Sequence, residues 1–188
     1  MKNLDSTGLK RLHRQWRRQT ESDVAILLDS VQTPFNVGTI LRTAAAYRSS
    51  HIWFSGATPL PSHPKVARTA LGTDRYLTWS FCEEIKEAIT QIKDSGFSLL
   101  GIELSEEAIP IFQTPIKEKT CLVFGHEDRG LSPQALEACD SVAFIPQLGR
   151  VGSLNVATAA GIALYETCLL YTSPSPRDAT LSRMPSSA

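Results

Sequence analysis

The chain has 188 residues, 42% of them hydrophobic and 20% charged, with 19 basic residues balanced by 19 acidic ones. These proportions exclude a disordered or collagen-like chain, the length fits one domain with a sizeable core, and no apolar run is long enough to span a membrane. A formal net charge of zero excludes a nucleic-acid footprint spread over the whole surface, so any such footprint is local.

The first local feature is basic. Lys10, Arg11, Arg14, Arg17 and Arg18 recur at roughly helical spacing, with Leu9, Leu12 and Trp16 as an apolar stripe. Such a segment is either a solvated helix face or a phosphate-binding one, and both readings stand at this point. Residues 1–20 hold no apolar stretch of the kind a secretory signal needs, so a cytoplasmic location is expected. Further on, apolar runs at 24–28, 51–54, 97–102, 121–124 and 142–145 read as buried strands, with 75–79 as a less regular one. Helices are predicted over 36–47, 83–94, 133–138 and 154–170, the last being the longest and most apolar. Strands alternating with helices imply an α/β fold, a parallel sheet with helices on both faces. From residue 172 the composition turns to Ser, Pro, Arg and Thr without apolar periodicity. That stretch cannot build core, and its wording resembles vector read-through. The expected layout is therefore a basic segment at 1–22, a folded domain at 23–170, and a disordered or non-native tail at 171–188.

Cys82, Cys121, Cys139 and Cys168 stand far apart and form no zinc-like cluster with His13, His51, His63 or His126, so buried reduced thiols and no metal are expected.

Three segments carry candidate chemistry. The first, DSVQTPFNVGTILRTA at 29–44, runs from a strand end into a helix, the place where open α/β sheets gather ligands. Asn36 is suited to cap that helix. Arg42 lies six residues on, pointing to a different side, among apolar neighbours where an arginine calls for an anionic partner such as phosphate, a salt bridge or a snorkelling stem. The second, LVFGHEDRGL at 122–131, is a strand entering a loop framed by Gly125 and Gly130, which suits either a flat ligand or a tight turn. It lacks the endings of a phosphate loop or a zinc-protease helix. The third, IPQLGRVGSLNVATAAGIALYE at 145–166, joins the last strand to the long helix. Ser153 can cap that helix, Asn155 sits in its first turn, and the small side chains of Ala157, Ala159, Ala160, Gly161 and Ala163 favour close packing. A nucleophile elbow is missing around Ser153, and no dinucleotide-binding glycine pattern occurs.

Together the three segments resemble the signature motifs of the SpoU (TrmH-like) branch of the SPOUT superfamily of RNA 2′-O-ribose methyltransferases. The likeness covers roughly residues 24–170, and HPKVARTALGTD at 63–74 is similar to members of the same branch. The resemblance implies an α/β fold with a C-terminal deep trefoil knot, a rare chain path. It implies methylation of a ribose 2′-hydroxyl of structured RNA, transfer RNA first and ribosomal RNA second, with S-adenosyl-L-methionine as cofactor, no metal, and a homodimer. As catalytic residues it implies Asn36, Arg42, Glu127, Ser153 and Asn155. As cofactor-binding residues it implies Phe124, Gly125, Ile145, Pro146, Leu148 and Leu154. RNA docking falls to Lys10, Arg11, Arg14, Arg17 and Arg18, joined by Arg48, Lys65, Arg68 and Arg150. The chain departs from many relatives at Ala157, where serine is common, and at Gln147, where methionine is. A catalytically inactive RNA-binding module of the same fold is the alternative, with a base-nitrogen methyltransferase and a nucleotide-binding oxidoreductase behind it.

Overall fold

The computed structural model describes residues 3–19 and 23–170; the tail expected at 171–188 and residues 1, 2 and 20–22 lie outside the described residues. Helix α1, Ser6–Gln19, comes first. After it, strands and helices alternate: β1 Asp23–Asp29, α2 Pro34–Ala46, β2 Ile52–Ser55, α3 Pro64–Ala70, β3 Trp79–Cys82, α4 Ile85–Asp94, β4 Ser98–Ile102, β5 Ile109–Pro110, β6 Lys119–Phe124, α5 Pro133–Ala138, β7 Ser141–Phe144 and α6 Val156–Leu170. The strands form one sheet in the order β3-β2-β1-β6-β4-β7-β5, every neighbouring pair parallel.

The strand residues explain the layering. β1 is buried along nearly its whole length, as a strand covered on both faces must be. Val24, Ile26 and Leu28 point to one face and meet Val37, Ile40, Leu41 and Ala44 of α2, Val66 of α3, and Ala160 and Leu164 of α6. Ala25 and Leu27 point to the other and meet Ile85, Ala88 and Ile92 of α4 and Ala135 of α5. Cutting Ile26 or Leu27 to alanine would empty a fully buried site, a loss of about 2–5 kcal/mol.

Helix α2 starts where Pro34 supplies the preset backbone angle of a first turn and buries residues at the three- and four-residue spacing of an amphipathic helix. Gly38 brings it close to α3: a β-carbon there would lie 2.7 Å from both Thr69 Cβ and the Val66 carbonyl. The helix ends as Arg48 turns left-handed at φ 57° and the Ser49 amide donates back to the Ala44 carbonyl at 2.9 Å, closing the last turn. Helix α6 packs along α2, with the Tyr47 and Tyr165 rings edge to face at 6.3 Å. Ala157, Ala160 and Ala163 lie in the core, while Ala159 and Gly161 are half-buried and a β-carbon added at Gly161 would sit 4.0 Å from Thr43 Cγ2, an ordinary contact.

Several expectations need correction. Residues 75–79 are no strand: Thr73–Tyr76 is a 3-10 turn and the strand begins at Trp79. Asn36 does not cap α2, because Thr33 occupies the cap position and Asn36 lies inside the first turn. Ser153 does not cap α6; Asn155 does, its side-chain oxygen accepting from Ala157 N at 2.9 Å and Thr158 N at 3.3 Å. Helix α3, strand β5 and a 3-10 turn at Ile111–Gln113 were not anticipated. The four cysteines are free, three of them buried, and burial raises each thiol pKa, those of Cys139 and Cys168 to about 11. Among the described residues no helix is long and apolar enough to cross a membrane.

Candidate active site

The carboxyl ends of β1, β4 and β6 lie side by side, and the loops leaving them are fastened to one another by side chains. The loop after β6 folds back on itself, with paired backbone hydrogen bonds between His126 and Gly130 at 2.9 and 2.8 Å. Gly125 makes that possible, since a β-carbon there would overlap the backbone of Gly130 and Leu131. Two carboxylates from flanking strands hold the loop's far end. Asp29, 4% exposed at the end of β1, accepts from Ser132 N at 2.8 Å. Glu103, just past β4, accepts from Leu131 N at 3.0 Å.

The same loop projects Glu127 onto the first turn of α2. Its carboxylate accepts from Gln32 N at 3.0 Å, Thr33 N at 2.9 Å and the Asn36 side-chain amide at 2.9 Å. Thr33 makes no side-chain cap hydrogen bond, so Glu127 does the capping from a distance in sequence, a negative charge at the positive end of a helix. Burial raises the Glu127 pKa, but hydrogen bonds from the Asn36 amide and from the backbone of Glu127, Thr33 and Gln32 outweigh it and bring the value to about 2. Asn36 then accepts from the Asn155 side-chain amide at 3.0 Å. One chain of hydrogen bonds, Asn155 to Asn36 to Glu127, thus joins all three segments singled out in the sequence.

Family comparison decides what this arrangement belongs to. The model of the SpoU rRNA Methylase family matches residues 23–165. The chain belongs to this family. It is 31% identical over 155 residues to the 23S rRNA (guanosine-2′-O-)-methyltransferase of Acinetobacter baylyi, covering 82% of this chain and 62% of that protein. It is 31% identical over 151 residues to the tRNA (guanosine(18)-2′-O)-methyltransferase of Thermus thermophilus, covering 79% and 76%. Among solved structures it is similar to the SpoU methyltransferase AviRb of Streptomyces viridochromogenes in complex with AdoMet, at TM-score 0.73 and 27% identity, covering 79% of this chain and 57% of that one. The chain therefore spans less than two thirds of the length of the first and third of these relatives.

Within this SpoU domain the five residues expected to be catalytic separate into two groups. Asn36, Glu127 and Asn155 are brought together. Arg42 lies on the exposed line of α2 that also carries Phe35 and Thr39, about one and two-thirds turns beyond Asn36, and among the described residues no hydrogen bond or ion pair reaches its guanidinium. Arg68 of α3 stands over the Phe35 ring at 5.8 Å, on the same side. Ser153 is exposed and lines a cavity beside the polar chain.

That cavity lies between β4, β7 and the start of α6. Of the six expected cofactor residues it is lined by Ile145 and Leu154. Phe124 is buried beneath in the core, Gly125 forms the adjacent fold-back, Pro146 is exposed, and Leu148 projects entirely into solvent, 105% exposed. Ile102, Leu104, Phe144 and Ala159 complete its apolar walls, and Glu103 and Gln147 supply polar groups. Gln147 Oε1 is buried without a hydrogen-bond partner, the mark of a group that awaits a donor. Asp29, Glu103 and Gln147 carry no role in the sequence reading. The rule that ligands gather at the carboxyl ends of strands points to Asp29 and Glu103, once β1, β6 and β4 are known to be neighbours.

From Ser6 to Arg18 helix α1 is exposed at every position but the half-buried Gly8, Trp16 included at 48%. It holds five of the chain's 19 basic residues and no acidic one. The remainder therefore carries a net negative charge of five.

Proposed function

We propose that this chain transfers a methyl group from S-adenosyl-L-methionine to a ribose 2′-hydroxyl of structured RNA, transfer RNA ahead of ribosomal RNA, in the cytoplasm and as a homodimer. The observation that carries the reading is the Asn155–Asn36–Glu127 chain beside a cavity in which the buried Gln147 Oε1 lacks a donor. An apolar-walled cavity with an orphaned acceptor at Gln147 suits the adenosine half of the cofactor, a flat ring flanked by amino and hydroxyl donors. When bound, S-adenosylmethionine supplies an electrophilic methyl whose bond to sulfur breaks as the bond to the ribose oxygen forms.

The protein's part is alignment and charge stabilisation. Glu127 and Asn155 hold Asn36 and the start of α2 in register, and Ser153 faces the cofactor cavity. Arg42, which no described residue pairs on its exposed line, meets the RNA phosphate and stabilises the developing alkoxide; being permanently charged, it leaves the hydroxyl proton to phosphate or water. Phe124, Gly125, Ile145, Pro146, Leu148 and Leu154 form the cofactor-binding loops, which the C-terminal trefoil knot implied for this branch would bring together. Lys10, Arg11, Arg14, Arg17 and Arg18 of α1 dock the RNA, with α1 an appendage to the catalytic domain at 23–170. A second copy covers the exposed Ile162 and Tyr165 of α6.

Incubation with labelled S-adenosylmethionine and total RNA, followed by nuclease digestion, is expected to place label in a 2′-O-methylated nucleoside. Label on a base, or cofactor binding without transfer, overturns the reading. Arg42→Lys keeps the charge and loses the planar fork; methyl transfer is expected to fall by about a hundredfold or more with cofactor affinity unchanged.

A further inference from the structure

We propose that the Glu103 carboxylate accepts hydrogen bonds from the ribose hydroxyls of the bound cofactor. The inference rests on the reading that S-adenosylmethionine occupies the cavity between β4, β7 and α6.

Glu103 is anchored before any ligand arrives. Its backbone amide donates to the Ala143 carbonyl at 3.0 Å, extending the β4–β7 ladder by one residue. Oε1 accepts from Leu104 N at 2.9 Å and Oε2 from Leu131 N at 3.0 Å, which fixes the plane of the carboxylate. An ionised carboxylate offers about four lone-pair positions, so two remain open on a side chain that lines the cavity. Gly130 makes room for it: this residue is left-handed at φ 67°, and a β-carbon there would overlap the Glu103 carboxylate.

Charge balance points the same way. Glu103 is the one ionisable residue in the cavity lining, and among the described residues no basic side chain pairs with it. A half-buried anion against the apolar walls of Ile102, Ile145 and Leu154 is stabilised by neutral donors that reach both oxygens together. A vicinal diol is such a donor pair, and adjoins the adenine that those walls suit. An acidic side chain past a strand end reads ribose hydroxyls in the same manner in dinucleotide-binding sheets.

The test is calorimetry with S-adenosylhomocysteine and its 2′-deoxy and 3′-deoxy ribose analogues. The unmodified chain is expected to bind each deoxy analogue about tenfold or more weakly than the parent. Glu103→Ala is expected to weaken the parent and to bind all three ligands within about twofold of one another. Equal binding of the three by the unmodified chain overturns the inference whether or not the variant folds, as does a folded variant that keeps the discrimination. A loss caused instead by removing the ligand's amino group, with the deoxy analogues unaffected, reassigns Glu103 to the ammonium and also overturns it. Failure of the unmodified chain to bind S-adenosylhomocysteine at all sinks the cofactor reading itself, a different result from equal binding.

Discussion

The two ends of the sheet are built from similar residue types but wired differently. At the amino end, side chains pair with the strand next door or the covering helix: Lys119 with Asp23 at 3.9 Å, His51 with Ser80 at 2.9 Å, and Trp53 with Gln91 of α4 at 3.1 Å. The His51 and Trp53 rings lie tilted at 42° with their centroids 4.1 Å apart, beside an open hollow of about 630 Å³. At the carboxyl end, carboxylates and amides fasten loops to loops through backbone N–H groups, across about a hundred residues of sequence for Asp29 to Ser132 and Gln32 to Glu127. The amino end is finished by neighbours already paired in the sheet. The carboxyl end must order loops that no ladder holds, and it does so with charged acceptors, whose hydrogen bonds are the stronger kind.

The strongest way to break this contrast is Glu127→Ala. It removes three acceptor contacts at once and frees the start of α2, and methyl transfer is expected to fall by about a hundredfold or more; wild-type rates in a folded variant would show that the wiring is incidental. Asn155 sharpens the contrast, because it serves both as cap and as link. Asn155→Ala is expected to cost about 1 kcal/mol in denaturant unfolding and to reduce activity. Asn155→Asp keeps the cap acceptor but cannot donate to Asn36, so stability should hold while activity drops.

Acid provides a third comparison. Because the folded-state pKa of Glu127, about 2, lies below the ordinary value near 4.3, its contribution is complete above that ordinary value. It disappears as pH falls toward about 2. The stability difference between the wild type and Glu127→Gln is expected to shrink between about pH 4.5 and 2 in thermal melts; a constant difference would contradict the assignment. The smallest effect belongs to the amino end. Lys119→Ala breaks an ion pair whose lysine side chain is 51% exposed, so a change below about 1 kcal/mol is expected, with activity unaltered.

Much of the sheet was legible because parallel strands covered on both faces read as unbroken apolar runs, as with Ile26, Leu27 and Leu28 or Leu122 and Val123. Edge elements were not. Strand β3 alternates exposed Trp79 and Phe81 with more buried neighbours, a weaker signal than the Tyr76 and Leu77 just before it, and β5 is two residues long. Helix α3 hid behind Pro64, which reads as a loop mark although it is the first residue of the helix. At the site, Asn36, Glu127 and Asn155 could be named as a set from their motifs. Their partners could not: that Glu127 caps α2, and that Asp29 and Glu103 flank one loop, follows from β6 lying between β1 and β4. Strand order is a property of the whole chain and leaves no trace in any single stretch of it.

The two margins of the sheet differ in their tolerance of crowding. On one, Pro110 has no amide hydrogen to offer and the strand is too short to serve as a template. On the other, β3 presents four residues with two half-uncovered aromatic rings. Edge-to-edge pairing, distinct from the α6-mediated homodimer proposed above, is thus expected from the Trp79 side in concentrated solution, and a lysine in place of Phe81 is expected to suppress it.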